Sequence, residues 1–299
     1  MTRLVGLGEA ELLRRLKPYL TTTGYSVVAG EDDAAVWPSL DADHPQDYVV
    51  ASCDTSVEGI HFDLAWMSAA DAGRRALALA LGDLAAKGAA PKYLLVALAT
   101  PRSWSLENVT GLYEGIAGLA QRYDMAVAGG DTTATDGPAV LTLTVLGTAS
   151  KVPIARSRVQ AGWAVAVTGP LGAAAVALRE RRVMLLEPKF EQGSLLNQAE
   201  ICCGDISDGL IREMEKFAAA SGSGCVIRAA DVPVAVGATL EDALTSGEEA
   251  ELVCVGAEDK LIHAGLQPCG YMTRESKVRV VGADGSDLSP AARGYDHFA

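Results

Sequence analysis

Apolar positions in the first half of the chain follow two rhythms. Alternation with a period of two marks residues 48–52, 93–99 and 140–147 as strands, most cleanly at Leu141-Thr142-Leu143-Thr144-Val145, and a short apolar run marks 126–128. A helical period lies between them. Residues 68–88 open on Ser68, whose hydroxyl can cap a first turn, and carry a long Ala/Leu face, while 106–123 bring Leu112, Ile116, Leu119 and Ala120 to one side. Residues 1–20 read as a charged amphipathic helix with Arg14, Arg15 and Lys17 amid Leu12, Leu13 and Leu16, a pattern unlike a signal peptide. This mixed order predicts an α+β domain over residues 1–150.

A polar stretch at 151–162, carrying Pro153, Arg156 and Arg158, marks the expected boundary with a second α/β domain over 151–299. There a strand at 163–168 turns at Gly169-Pro170 into an Ala-rich helix over 173–182. Helices follow at 207–221 and from about Ala238, with strands at 225–228 and 251–255. Residues 161–178 hold 18 positions without a charge, long enough to consider a membrane span. Gly169-Pro170-Leu171-Gly172 interrupts that run, so a strand, a turn and a helix start fit it better.

Charge narrows the function classes. With 25 Lys plus Arg against 38 Asp plus Glu, the formal net charge is −13, which argues against binding a nucleic acid. Phosphate compounds remain accessible to such a surface when divalent cations stand between carboxylate and ligand. Cys53, Cys202, Cys203, Cys225, Cys254 and Cys269 form no CxxC pair and no zinc spacing, so buried reduced thiols in a cytoplasmic chain are expected. Hydrophobic residues make up 49% of the chain but aromatic ones only 5%, so the cores must be built from Ala, Val and Leu.

Acidic residues recur beside small ones in five segments: Glu31-Asp32-Asp33-Ala34-Ala35, Ser52-Cys53-Asp54-Thr55, Gly82-Asp83-Leu84, Gly129-Gly130-Asp131-Thr132-Thr133 and Asp205-Ile206-Ser207-Asp208-Gly209-Leu210. They read as short turns, most of them at the end of an apolar strand or at a turn into a helix, where a carboxylate can be held at a cleft. Clustered carboxylates repel one another unless cations offset them, and hard cations such as Mg²⁺ take oxygen ligands and bridge to substrate phosphates. Paired glycines ahead of Asp131 let backbone approach a phosphate closely. P-loop, protein-kinase, GxSxG and HExxH patterns are all missing.

Together with Glu58-Gly59-Ile60-His61-Phe62, Val167-Thr168-Gly169, Gly247-Glu248 and Gly294-Tyr295-Asp296-His297-Phe298, these segments resemble, in order along the chain, the thiamine monophosphate kinase family of the aminoimidazole ribonucleotide synthetase superfamily. The resemblance implies an N-terminal mixed sheet that pairs across a homodimer and a C-terminal α/β domain that closes the cleft. It also implies in-line transfer of the ATP γ-phosphoryl group to thiamine monophosphate. By motif position, Asp33, Ser52, Asp54, Asp83, Asp131, Asp205 and Asp208 would hold several Mg²⁺ ions, with Asp54, Asp131 and Asp208 nearest the chemistry. Tyr113, Gly130, Asp131, Arg156 and Ser207 would touch ATP, and His61, Glu248 and Tyr295 the acceptor. A relative acting on a different phosphorylated acceptor and a non-catalytic nucleotide-binding dimer are the rival readings.

Several residues depart from the family pattern; the carboxylate set is kept, but the acceptor side is altered. Glu31, Cys53 and Gly82 replace a usual Gly, Thr and Ser; Gly-Glu-Asp-Tyr-Glu-Leu becomes Gly247-Glu248-Glu249-Ala250-Glu251-Leu252; Arg293 replaces a common Trp; and Glu187-Pro188-Lys189-Phe190 lacks Pro-x-Pro-Arg. Glu248, Glu249 and Glu251 are expected to lend negative charge to the acceptor, and Arg293 to repel a cationic ring if it points inward.

Overall fold

The computed structural model describes residues 8–20 and 31–298. Part of the N-terminal amphipathic segment, residues 1–7, lies outside the described residues. The rest forms helix α1 (Glu9–Leu16) and a 3₁₀ turn (Lys17–Tyr19). The first half then contains strands β1 (Ala35–Pro38), β2 (Tyr48–Val57), β3 (Ala90–Pro101), β4 (Ala126–Thr135) and β5 (Val140–Ala149), with helices α2 (Ala69–Ala86) and α3 (Leu106–Arg122). Their sheet runs β1-β2-β5-β3-β4, antiparallel except for the parallel pair β3 and β4.

α2 and α3 cover one face of this sheet. Ser68 caps α2 by accepting the Asp71 N–H at 3.0 Å, and Ser105 caps α3 in the same way through Asn108. The two helices pack at backbone distance: a methyl group at Gly115 would sit 1.9 Å from the Ala70 carbonyl oxygen. Leu77, Leu81 and Leu84 of α2 meet Leu94, Val96, Leu141, Leu143 and Val145 from the sheet in one core. The opposite face is open. β4 is exposed along all but its last residue, and Tyr93 and Leu95 of β3 are exposed beside it.

The second half has β6 (Ala164–Val167), β7 (Cys202–Asp205), β8 (Gly224–Arg228), β9 (Leu252–Gly256), β10 (Pro268–Thr273) and β11 (Val278–Val281), in the order β11-β8-β10-β6-β9-β7. Helices α4 (Ala173–Arg179), α5 (Phe190–Gln198), α6 (Leu210–Ser221), α7 (Leu240–Thr245) and α8 (Glu258–His263) flank it. Residues 161–178 resolve into β6 and α4, and no helix among the described residues is long and apolar enough to cross a membrane. Two sheets with flanking helices bear out the α+β class.

The main correction is to two acidic segments read as turns. Asp54 lies inside the ten-residue β2 and Asp131 inside β4, whereas Asp83 lies in α2, within the helix expected over 68–88. Cys53 departs from the expected thiol burial and is exposed, whereas the other five cysteines are buried and free.

Candidate active site

Register decides which side chains can meet. Residues directly opposite in a sheet share a face. Ser52 and Asp54 pair with Val145 and Leu143, so they point to the helix-covered face; Asp131 pairs with Ala97, which pairs with Thr142, which pairs with Thr55, all on the open face. Asp131 is therefore on the opposite face from Asp54 and three strands away. Tyr113 is half-buried on α3 against the first core. Gly130, with φ of 152°, lies so close to β3 that a methyl group there would be 1.8 Å from the Val96 carbonyl oxygen.

The remaining carboxylates converge where the two sheets meet. Asp33, just ahead of β1, Asp83 of α2 and Asp205 at the end of β7 each place an oxygen within 4.8 Å of the others. Ser52 donates its hydroxyl to Asp83. Asp208 and Glu213, from the turn before α6 and its first turn, share Lys216 at 2.8 and 2.5 Å. Arg156 pairs with Asp33 and with Glu213 (2.8 Å), and its backbone N–H bonds Asp32 at 2.9 Å. Lys87, at the end of α2, pairs with Asp32 and with Asp33 (2.9 Å).

Electrostatics divide the cluster. Burial alone would raise the Asp33 carboxyl, but Arg156 and Lys87 outweigh it and hold Asp33 below the usual range. On the other side burial, then the charges of Asp33 and Asp208, push Asp54 up to about 6. Burial, then Asp33 and Glu213, push Asp205 up to about 8. Asp83 is raised well above the usual range by burial, with Asp205 and Asp54 adding to it. All donors are hard oxygens, and Asp33 Oδ2 is buried without a well-aligned hydrogen bond, so the residues present fit a divalent cation.

A second group sits beside the first. His61 stacks at 5.3 Å on His297, whose ring meets Tyr295 edge-on at 4.7 Å. His61 Nδ1 accepts the Val57 N–H at 3.1 Å, which leaves the proton of the neutral ring on Nε2, free to donate. Burial lowers the His61 pKa, with Glu248 opposing, and so keeps the ring neutral. Glu248 pairs with Arg75 of α2 and donates its N–H to the Ser207 carbonyl at 2.9 Å. Tyr295 likewise donates its N–H to the Asp208 carbonyl at 3.0 Å, so both acceptor-side residues are registered on the Ser207-Asp208 turn.

Glu249 and Glu251 do not join this group, contrary to expectation. Glu249 is turned inward to accept the N–H groups of Gly172 (2.9 Å) and Ala174 (3.3 Å) at the start of α4. Glu251 is held by Thr168 (2.5 Å) and Lys189 (2.8 Å). Arg293 turns to Glu215 (2.9 Å) and the Val278 carbonyl (2.8 Å), so the feared cationic repulsion is absent.

Residues 31–149 match the model for the AIR synthase related protein, N-terminal domain. The thiamine-monophosphate kinase of Rhodopirellula baltica is 35% identical over 83% of this chain and 82% of its own length. That of Bacillus subtilis is 30% identical over 98% of this chain and the whole of its own. The chain belongs to the thiamine-monophosphate kinase family. The solved structure described as AaThiL complexed with AMPPCP and TMP shares the fold, with a TM-score of 0.83 and 23% identity over 100% of this chain and 99% of that one. For a member of the thiamine-monophosphate kinase family, motif order located both groups, but sequence reasoning missed Asp32, Arg75, Lys87, Glu213, Lys216 and His297. Lys87 ahead of Gly88 reads as an ordinary helix end, and Glu213 with Lys216 as a solvated helix face.

Proposed function

We propose that the chain transfers the γ-phosphoryl group of ATP to thiamine monophosphate, giving thiamine diphosphate and ADP. An acceptor phosphate oxygen attacks the γ-phosphorus as the bond to the ADP oxygen breaks. The acceptor is already ionised and needs no strong base, so positioning and charge neutralisation supply the rate. The observation that carries this reading is the buried meeting of Asp33, Asp83 and Asp205 beside the His61, His297 and Tyr295 group. Asp33, Ser52, Asp54, Asp83, Asp205 and Asp208 would hold Mg²⁺, whose role when bound is to neutralise the phosphates. His61 Nε2, Glu248 and Tyr295 would orient the acceptor, Ser207 would contact ATP, and Arg156 acts from below by fixing Asp33.

We also propose a cytoplasmic homodimer in which a second copy covers the open face of the first sheet. Exposed Tyr93 and Leu95 and the unpaired edge of β4 support it. A second copy there would give Asp131 the ligand-facing role that a single copy denies it, while Gly130 and Tyr113, on the helix-covered side, would touch ATP from within one copy. On this reading residues 1–150 bind ATP and dimerise, and 151–299 close the cleft.

ADP release coupled to a reporter, with thiamine monophosphate and a panel of other phosphorylated acceptors, tests the reaction. Robust turnover with another acceptor and none with thiamine monophosphate would reject it. Light scattering that finds a monomer at micromolar concentration would reject the dimer.

A further inference from the structure

Lys87 differs from the other cations of the cluster in what surrounds it. Its side chain is 1% exposed, and its Nζ lies against three oxygens from two segments: Asp32 Oδ1, Asp33 Oδ2 at 2.9 Å and the Cys203 main-chain carbonyl at 2.9 Å. Two carboxylates and a carbonyl, closed off from water, are the donor set of a hard-cation site rather than of a surface ion pair. The local backbone sets this geometry. The Lys87 N–H bonds the Asp83 and Leu84 carbonyls at the end of α2, and Gly88 turns the chain away at φ 63°, leaving the lysine stem directed inward.

The charges around it are unevenly placed. Asp32, Asp33, Asp54, Asp83, Asp205, Asp208 and Glu213 are seven carboxylates, and Lys87, Arg156 and Lys216 are three cations, which leaves a formal excess of four negative charges. Among the described residues every ion pair in the cluster goes to Asp32, Asp33, Asp208 or Glu213, and none reaches Asp54, Asp83 or Asp205. We propose that Lys87 is a built-in cation that occupies the place of a divalent ion between Asp32, Asp33 and the Cys203 carbonyl. Metal binding is thereby kept to the other side of Asp33, toward Asp54, Asp83, Asp205 and Asp208, and away from Asp32 and the Cys203 carbonyl. The inference rests on the divalent-cation reading above. It makes Lys87 a positioning residue that keeps Asp33 charged and fixed without a metal at its far side.

Mn²⁺ titration of the full chain without nucleotide, followed by the loss of the free-ion paramagnetic signal, tests this on wild type, Lys87→Met and Lys87→Arg. Lys87→Met is expected to bind one more Mn²⁺ per chain than wild type, displaceable by Mg²⁺, and Lys87→Arg to gain none. Thermal melting supplies the second readout. Lys87→Met should melt lower than wild type in EDTA and recover most of that loss in Mg²⁺. Unchanged stoichiometry, or a Lys87→Met chain that stays unfolded with Mg²⁺ present, overturns the inference. Wild type that binds no Mn²⁺ overturns the divalent-cation reading itself, and the Lys87 inference with it, whereas equal binding by wild type and Lys87→Met overturns the Lys87 inference alone.

Discussion

At the carboxylate end of the candidate site the charged side chains are buried and tied down: Glu213 is 0% exposed, Asp33 4%, and Arg156 and Lys87 span segments from both halves of the chain. At the ring end, Tyr295 and His297 are exposed, His61 is half-buried, and Glu248 is held by one arginine. The first end is prebuilt for charge, at a fixed geometry that any phosphoryl donor demands. The second is a loose rim of rings and one carboxylate. Constraint follows burial: a change among coupled buried charges disturbs all of them, whereas a rim residue can be exchanged alone.

The sharpest break between the two ends should come from Asp54→Asn. Removing one preorganised charge is expected to lower turnover by about a hundredfold or more, measured by coupled ADP release. The melting temperature should hold or rise, because a like charge has left the cluster. A variant with near-normal turnover would detach β2 from the chemistry.

The pH dependence of the metal-free protein should be the next largest effect. Asp54 and Asp205 are raised to about 6 and about 8, so folding favours their protonated forms. Their contribution is fully present below the unfolded carboxylate range, near pH 4, and is lost as pH rises through about 6 and then about 8. Melting in EDTA should therefore fall between pH 5 and 8, and Mg²⁺ should restore more at pH 8 than at pH 5. Equal Mg²⁺ gains at both pH values would contradict the assignment of these carboxylates as the metal side.

His61→Ala probes the rim. Losing one neutral donor should raise KM for thiamine monophosphate by about tenfold while KM for ATP stays put. A parallel rise in both would mean that the two ends are not separable. Arg293→Ala should matter least, within about twofold in kcat/KM, since the guanidinium turns away to Glu215. A larger effect would show that Arg293 reaches the acceptor during turnover.

Much of this was legible in the residues. Ser68 as a cap, the Leu112-Ile116-Leu119 face and the alternation of β5 followed from period and capping alone, because each is a local rule. β2 was read too short because Ser52-Cys53-Asp54-Thr55-Ser56 lacks apolar residues. Its sequence is polar on both sides, one facing the carboxylates and one the open surface. The segments that supply the acidic cluster were recognisable by motif, but its counter-ions were not. Lys87 and Arg156 find their partners only through the meeting of the two sheets, a long-range fact that no local pattern carries, whereas Lys216 pairs locally with Asp208 and Glu213 and is hidden by its likeness to a solvated helix face. Glu249 misled for the same reason, since its inward turn depends on the start of α4.

α2 carries Arg75 at the acceptor rim, Asp83 in the carboxylates and Lys87 at the cluster's far side. At 1.5 Å per residue the first and last lie about 18 Å apart along one rigid rod, within about a third of its circumference. This helix therefore works as a ruler that sets the spacing of the two ends of the cleft. A single inserted or deleted residue between Arg75 and Asp83 would turn the far part by about 100° and shift it by about 1.5 Å. Length changes should be excluded from this segment over evolution while the surface loops drift freely.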